Sequence, residues 1–408
     1  MKFLARQPIL DRDRRLFAYE LLFRSGTGNF CEHPNLEEAS VAMLDTSFLI
    51  GLQRLLDGQL GFVNCPRDFL LKDYVSLFPP DAVVVELLET IVPDAEVIEA
   101  CRALKNRGYL LALDDFEDDL SWDPLVEIAD FIKVDFRLTA PPQRHSLAAR
   151  YAGKGIRMLA EKIETHEEFS EAAKMGYSLF QGYFFCRPEI LKHRAIPAYK
   201  LAYIQLLQTV TAPDFKMKTL EQQIKLEPSL TYKLLRYLNS PVFGLRVEIH
   251  SVSQALQLLG ERELRKWIAV VAVGVLADGK PDELMKIPLV RGRFCELLAP
   301  HAGIPDQASD LFLLGLLSVT DAILDQPLDE ILEELPVRTD IKEALLEQSV
   351  PYRHLLELAM AIERADWDRV SEFAAAMKMR EEQISELYIS AVSWSNVLRS
   401  EARQLVSR

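Results

Sequence analysis

No stretch of this sequence is apolar enough to cross a bilayer. The longest apolar run, Trp267 to Ala277, falls well short of the ~20 residues a spanning helix needs and reads as a buried core helix. The opening segment, MKFLARQPILDRDRR, has too short an apolar stretch for a signal peptide and turns charged at once. Cysteines are few: Cys31, Cys65, Cys101, Cys186 and Cys295 are odd in number and form no CxxC pair. That pattern excludes a disulfide framework and points to core thiols in a reduced, cytoplasmic compartment. A basic surplus is also missing. With a net charge of −14, the chain is unsuited to generic contact with nucleic acid or anionic membrane, which call for a basic face. A small anion held locally by metal ions stays compatible with that balance. Low-complexity tracts and fixed-period repeats are absent as well.

What is present is ordinary globular composition, 49% hydrophobic and 26% charged over 408 residues, enough for two or three domains. Two textures divide it. Up to about Pro188, short apolar runs alternate with helical stretches. The expected strands are Gly61–Cys65, Ala82–Leu87, Tyr109–Asp114, Asp130–Asp135, Ile156–Glu161 and Ser178–Gly182, apolar with little alternation, as strands covered on both faces should be. Between them lie expected helices at Leu36–Leu56, Asp94–Arg107 and His166–Met175, with Asn35 placed as an N-cap and Gly108 and Gly176 as helix-ending glycines. Strand–helix alternation implies a parallel sheet, open or closed. Beyond about Ile196 the pattern is helical. The division expected is 1–192 for an α/β domain and 200–408 for an all-helical one, joined by a linker over 187–199.

The strand ends carry the chemistry. They read Asn64, Glu86, Asp114 with Asp115, Lys133 with Asp135, Glu161 and Gln181, and Glu20 lies near the end of the earlier run LFAYELL. In parallel barrels the C-terminal strand ends converge on one mouth. Several carboxylates and an amide oxygen, with no histidine, make a hard-oxygen donor set suited to Mg²⁺ or Mn²⁺ and not to zinc. Two such ions would clamp a phosphodiester and activate water, with Lys133 stabilising negative charge. Plainer roles are open for each residue alone. A strand-end carboxylate can cap a helix, Lys133 can pair with Glu86 or Asp135 across a barrel, and Gln181 can belong to a turn.

The ordered motifs Gln7-Pro8-Ile9, Glu20-Leu21-Leu22-Phe23-Arg24, Asn64, Glu86-Leu87-Leu88-Glu89, Asp114-Asp115-Phe116, Ile132-Lys133-Val134-Asp135, Ala160-Glu161-Lys162-Ile163-Glu164 and Gln181-Gly182-Tyr183 resemble the EAL domain. The resemblance implies a (β/α)8 TIM-like barrel that binds cyclic di-GMP and, when active, linearises it with two Mg²⁺ or Mn²⁺ ions. It implies metal ligands at Glu20, Asn64, Glu86, Asp114 and Asp115, and Glu161 on a metal or its water. Lys133 would orient the nucleophilic water with Gln181 beside it, Arg24 and Gln7 would contact the ligand, and Glu89 would brace the loop after the aspartate pair. The chain also departs from the family pattern. Leu21 replaces an alanine, Leu88 a threonine and Lys162 a glycine, and Glu117-Asp118-Asp119 stands where the family has Gly-Thr-Gly. Glycine-permitted backbone conformations there would strain Glu and Asp, and added carboxylates would repel a dianionic ligand.

The second half resembles the HDOD family over Leu226–Leu230, Leu234–Ser240 and Ile249–Gly260. The metal-binding His-Asp pair of the wider HD superfamily is replaced by Ser318-Val319, and His250, His301 and His354 stand apart from one another. The expectation is therefore a signalling protein: a feeble or silent EAL barrel sensing ligand, and an HDOD domain that binds a protein partner. An active phosphodiesterase and a scaffold without nucleotide are the alternatives. A homodimer is left open, because the loop near which EAL barrels pair is the altered one.

Overall fold

A computed structural model describes residues 3–24, 55–117, 119–189, 198–212, 214–239, 248–348 and 351–406 of the chain. Eight strands close into a barrel in sequence order: β1 Phe3–Asp11, β2 Leu16–Arg24, β3 Leu60–Cys65, β4 Val83–Leu87, β5 Leu110–Leu113, β6 Phe131–Asp135, β7 Arg157–Glu161 and β8 Leu179–Gln181. From β2 to β8 neighbours run parallel, whereas β1 is antiparallel to both β2 and β8. The barrel thus opens with a hairpin instead of a strand–helix unit. Its turn is built by Asp11, whose Oδ1 accepts the amides of Asp13 (2.8 Å) and Arg15 (2.9 Å), with Arg14 in the left-handed region at φ 60°.

One side chain from each strand fills the barrel beneath its mouth: Ile9, Ala18, Phe62, Val84, Ala112, Phe131, Leu159 and Leu179. All are at most 3% exposed. Burying each large member contributes about 1.5–3 kcal/mol, so this layer is a principal reason the barrel is a packed plug and not a pore. Phe62 meets Phe131 edge-on at 5.1 Å, and Arg157 stacks over Phe17 at 4.1 Å at the opposite end from the mouth.

The expected helices around the barrel have the expected punctuation. Ala95–Asn106 is capped by Asp94, whose Oδ1 accepts the Val97 amide (3.1 Å), and is followed by Gly108 at φ 91°. His166–Met175 is capped by Thr165 Oγ1 on the Glu168 amide (3.1 Å) and ends on Gly176 at φ 114°. The expected helix Leu36–Leu56 lies outside the described residues except at its last two positions, as does most of the expected linker 187–199.

After β8 every described regular element is helical. The chain separates into two compact units. One joins Met1–Arg187 to Pro281–Glu283 and Ala361–Ile389; the other joins Pro188–Lys280 to Leu284–Met360 and Ser390–Arg408. In the second unit, the run Trp267–Ala277 forms the largely buried end and C-cap of Val252–Leu276, a stretch broken at Gly260 (φ 71°, ψ 170°). Helices Glu283–Leu298 and Ala308–Leu317 cross at Gly292 and Gly315, where a Cβ on Gly315 would lie 2.3 Å from the Gly292 nitrogen. Ser318, at the place of the missing His-Asp pair, accepts from Arg291 Nη1 (3.0 Å) and donates to the Gly315 carbonyl (2.7 Å).

Candidate metal centre at the barrel mouth

The mouth follows from the plug by a two-residue step. Side chains two apart along a strand share a face. Stepping toward the mouth from the plug residues gives Gln7 on the reversed β1, then Glu20, Asn64, Glu86, Asp114, Lys133, Glu161 and Gln181. Every strand thus contributes one polar group to a single ring above an apolar floor. Asp114 lies one residue past β5, held by its amide on the Leu87 carbonyl (2.9 Å).

Lys133 stands at the centre, 1% exposed. Its Nζ lies 2.8 Å from Glu161 Oε1, 2.9 Å from Asp114 Oδ1 and 3.3 Å from Glu20 Oε1, and it also pairs with Glu86 Oε1. One ammonium facing four carboxylates leaves a surplus of negative charge in a dry place. Burial therefore drives the Glu86 carboxyl well above the usual carboxylate range, with Asp114, Glu20 and Glu161 adding to the rise against the pull of Lys133. Burial likewise pushes Glu161 up to about 8, and Asp115 up to about 6 with help from Asp114. Burial alone would depress Lys133, but Asp114, Glu161, Glu20 and Glu86 together hold it well above its ordinary value. Protons thus do part of the work a divalent cation would do here.

The donor set fits Mg²⁺ or Mn²⁺. Asn64 Oδ1, Glu86 Oε2 and Gln181 Oε1 are buried with no hydrogen-bond partner. Leaving such atoms unpaired costs about 1–3 kcal/mol each, so their convergence around the carboxylates asks for a bound cation or its water. Asp114, Asp115 and Glu161 bring carboxylate oxygens within 4.8 Å of one another, a spacing able to hold a second ion. All of these donors are oxygens.

Gln181 and Gln7 extend the ring by hydrogen bonds. Gln181 Nε2 donates to Glu20 Oε2 and to Gln7 Oε1 (2.8 Å), while Gln7 Nε2 donates to the Glu363 carbonyl (3.1 Å). Both ends of the Gln7 amide are therefore engaged within the protein, whereas the sequence assigned it to ligand. Gly182 follows at φ 141°, and a Cβ there would lie 2.0 Å from the Ile163 carbonyl oxygen. Only glycine lets the β8 end approach the β7 loop closely enough for the Ile163 amide to reach the Gln181 carbonyl (2.9 Å).

The remaining expected site residues are Glu89 and Arg24. Glu89 is exposed in the turn after β4 and, among the described residues, makes no hydrogen bond to the loop it was expected to brace. Arg24 is the last residue of β2, opposite Phe3, and its side chain lies outside the described set. The expected strain in the acidic loop is corrected. Asp119 has φ −79° and caps the Ser121 amide (2.9 Å), and Glu117 is not among the positive-φ residues, while Asp118 lies outside the described residues. Left-handed backbone beside the mouth is instead found at Asp115 (φ 41°) and Lys162 (φ 55°). Lys162 Nζ pairs with buried Asp135, whose Oδ1 also accepts the amides of Arg137 (2.5 Å) and Leu138 (3.1 Å). Sequence reasoning counted Asp135 as a strand end and missed this clamp between the β6 and β7 loops. A polar residue at a position where the family has glycine was the available signal.

Comparison with known proteins identifies the domains. The EAL domain family matches residues 70–188, and the HDOD domain family residues 196–362. The EAL match begins after Glu20 and Asn64, two of the ring residues. A Bacillus subtilis protein, YuxH, is 34% identical over 405 residues, spanning 97% of this chain and 98% of its own. The cyclic di-GMP phosphodiesterase CdgJ of Vibrio cholerae is 34% identical over 397 residues, spanning 96% and 92%. Among solved structures, the manganese/cyclic di-GMP complex of Klebsiella pneumoniae BlrP1 is similar at 27% identity, covering 45% of this chain and 55% of that one with a TM-score of 0.36. No described helix is long and apolar enough to cross a membrane. From barrel, ring and near full-length likeness together, the chain belongs to the family that joins an EAL domain to an HDOD domain.

Proposed function

We propose that the barrel mouth binds divalent metal and cyclic di-GMP and opens the cyclic dinucleotide by hydrolysing one phosphodiester bond. The observation that carries this reading is the ring itself: three orphaned buried oxygens and a carboxylate cluster converge around Lys133 on an apolar floor. Glu20, Asn64, Glu86, Asp114, Asp115 and Glu161 would hold Mg²⁺ or Mn²⁺. Bound there, the metal would acidify a water and offset charge on the phosphate. The chain's own groups supply the rest. Lys133 stays charged among its carboxylates and can face the anion that develops as water oxygen joins phosphorus and the ribose oxygen leaves. Gln181 Oε1, buried and free, can accept a hydrogen bond from the attacking water. The likeness to the CdgJ phosphodiesterase over almost the whole chain supports the same reading.

The sequence weighs toward a silent barrel, chiefly because of its altered loop. That weight lessens, since Glu117 and Asp119 occupy ordinary backbone conformations. A second reading, binding without turnover, is favoured by the exposed carboxylates of Glu117 and Asp119 and, among the described residues, by the lack of a hydrogen bond from Glu89 to that loop. On either reading, the barrel forms the nucleotide domain, and the HDOD domain, matched over 196–362, binds a protein partner. The test is incubation of the full chain with cyclic di-GMP and Mn²⁺, separating linear from cyclic dinucleotide by chromatography. Turnover lost in Glu20→Ala supports hydrolysis; binding with no product supports the second reading; neither rejects both.

A further inference from the structure

The ring does not end at the barrel. Segments Pro281–Glu283 and Ala361–Ile389, far along the chain, belong to the same compact unit as the strands. They meet the strands that carry the ring. Tyr19, the residue before Glu20, donates from its hydroxyl to Glu283 Oε1 (2.9 Å), and the Arg364 guanidinium lies 5.9 Å from the ring centre of Tyr183, just past Gln181. The most direct tie is Gln7, whose Nε2 donates to the Glu363 carbonyl (3.1 Å).

That carbonyl is the last of helix Pro351–Glu363. Terminal carbonyls have no partner within their own helix and must find one elsewhere. Those of Ala361 and Ile362 are taken by the amides of Asp366 (2.9 Å) and Ala365 (3.0 Å), in a turn that places Ala365 at φ 56°. Gln7 serves Glu363. Its other end accepts from Gln181 Nε2 (2.8 Å), and the same nitrogen donates to Glu20 Oε2. A continuous line of hydrogen bonds therefore runs from a helix end to a proposed metal ligand. Each donor has its direction fixed: Glu20 orients Gln181, Gln181 orients Gln7, and Gln7 caps the helix.

We infer that Gln7 is a positioning residue that couples metal occupancy at the barrel mouth to the end of helix Pro351–Glu363, giving the C-terminal segment a hold on the site. This rests on the metal-site reading above. Metal drawing Glu20 into coordination fixes the Gln181 amide, and hence the Gln7 bond to the helix end. By linkage, whatever loosens or tightens that helix end changes metal affinity by the same factor.

The test is hydrogen–deuterium exchange of the full chain with and without Mn²⁺, with Mn²⁺ binding followed in parallel by calorimetry. In the wild type, Mn²⁺ is expected to slow exchange of the amides over 364–366 at least threefold. Gln7→Leu, which loses both bonds, should abolish that slowing and weaken Mn²⁺ binding about three- to tenfold. Gln7→Glu can still accept from Gln181 but cannot donate to Glu363, and should abolish the slowing too. Tyr19→Phe removes a neighbouring tie and should leave the slowing intact. If the wild type binds Mn²⁺ without slower exchange there, or both Gln7 variants respond as the wild type does, the inference is overturned. If no Mn²⁺ binds, the metal-site reading falls first and the inference with it.

Discussion

Raising the pH should tighten Mn²⁺ binding steeply, because the ring holds protons that the metal must expel. Glu161 is pushed up to about 8 and Asp115 to about 6, by burial first and by neighbouring carboxylates second. A carboxyl with a raised value is protonated, and unable to ligate as a carboxylate, below that value. Metal affinity therefore rises with pH and levels off above it. A group titrating at about 8 is about 1% ionised at pH ~6 and half ionised at pH ~8, so Glu161 alone gives about a fiftyfold gain across that interval, about 2 kcal/mol. Asp115 adds a further rise below pH ~6, and Glu86, driven well above the usual range, can only steepen the whole. The assay is isothermal titration calorimetry of Mn²⁺ into the full chain at several pH values, in buffers of different ionisation enthalpy. About one proton or more should be released per metal near neutrality. An affinity constant within threefold from pH ~6 to ~8, with no proton release, would refute the reasoning.

Other outcomes follow from the same contacts. Lys133→Met leaves three buried carboxylates and the half-buried Asp114 without their shared cation, so the unfolding free energy should fall by about 3–5 kcal/mol. Urea titration should find that loss larger at pH ~8 than at pH ~6, where protons replace the cation; an equal loss at both would contradict the electrostatic account. Gly182→Ala sets a methyl against the Ile163 carbonyl in a left-handed backbone and should abolish both cyclic di-GMP binding and turnover. Retained binding within twofold would show that the two loops need not touch. In the helical unit, Gly315→Ala should lower the urea midpoint, because its methyl meets the Gly292 backbone at 2.3 Å, whereas Gly274→Ala, with nothing nearer than Met285 Cε at 3.6 Å, should raise stability by about 1 kcal/mol. The same sign in both would discredit the crossing.

Much of the site was legible because it obeys one positional rule. Asn64, Glu86, Asp114, Lys133, Glu161 and Gln181 stand at or near the C-terminal ends of recognisable apolar runs, and the structure sets each of them, with Glu20, two residues beyond an apolar plug residue. β1 was harder to read. Arg6, Gln7 and Pro8 interrupt its apolar pattern, and its reversed direction puts Gln7 two residues before Ile9 instead of after it. The partner of Gln7 could not be read at all, since a main-chain carbonyl 356 residues away carries no side-chain signature. The loop Glu117–Asp119 misled for a related reason. Glycines in a family pattern mark conformations the family uses, but beside this mouth left-handed backbone is carried by Asp115 and Lys162. Side-chain chemistry was local and visible; backbone conformation and long-range capping were not.

If these oxygens form a divalent-metal site, manganese must bind among them. Crystals of the full chain grown with Mn²⁺, measured at an X-ray energy where manganese scatters anomalously, test it most directly. An anomalous peak is expected within coordination distance of Asn64 Oδ1, Glu86 Oε2 and Asp114. No peak at the barrel mouth, with Lys133 still bound to all four carboxylates at saturating Mn²⁺, would contradict it.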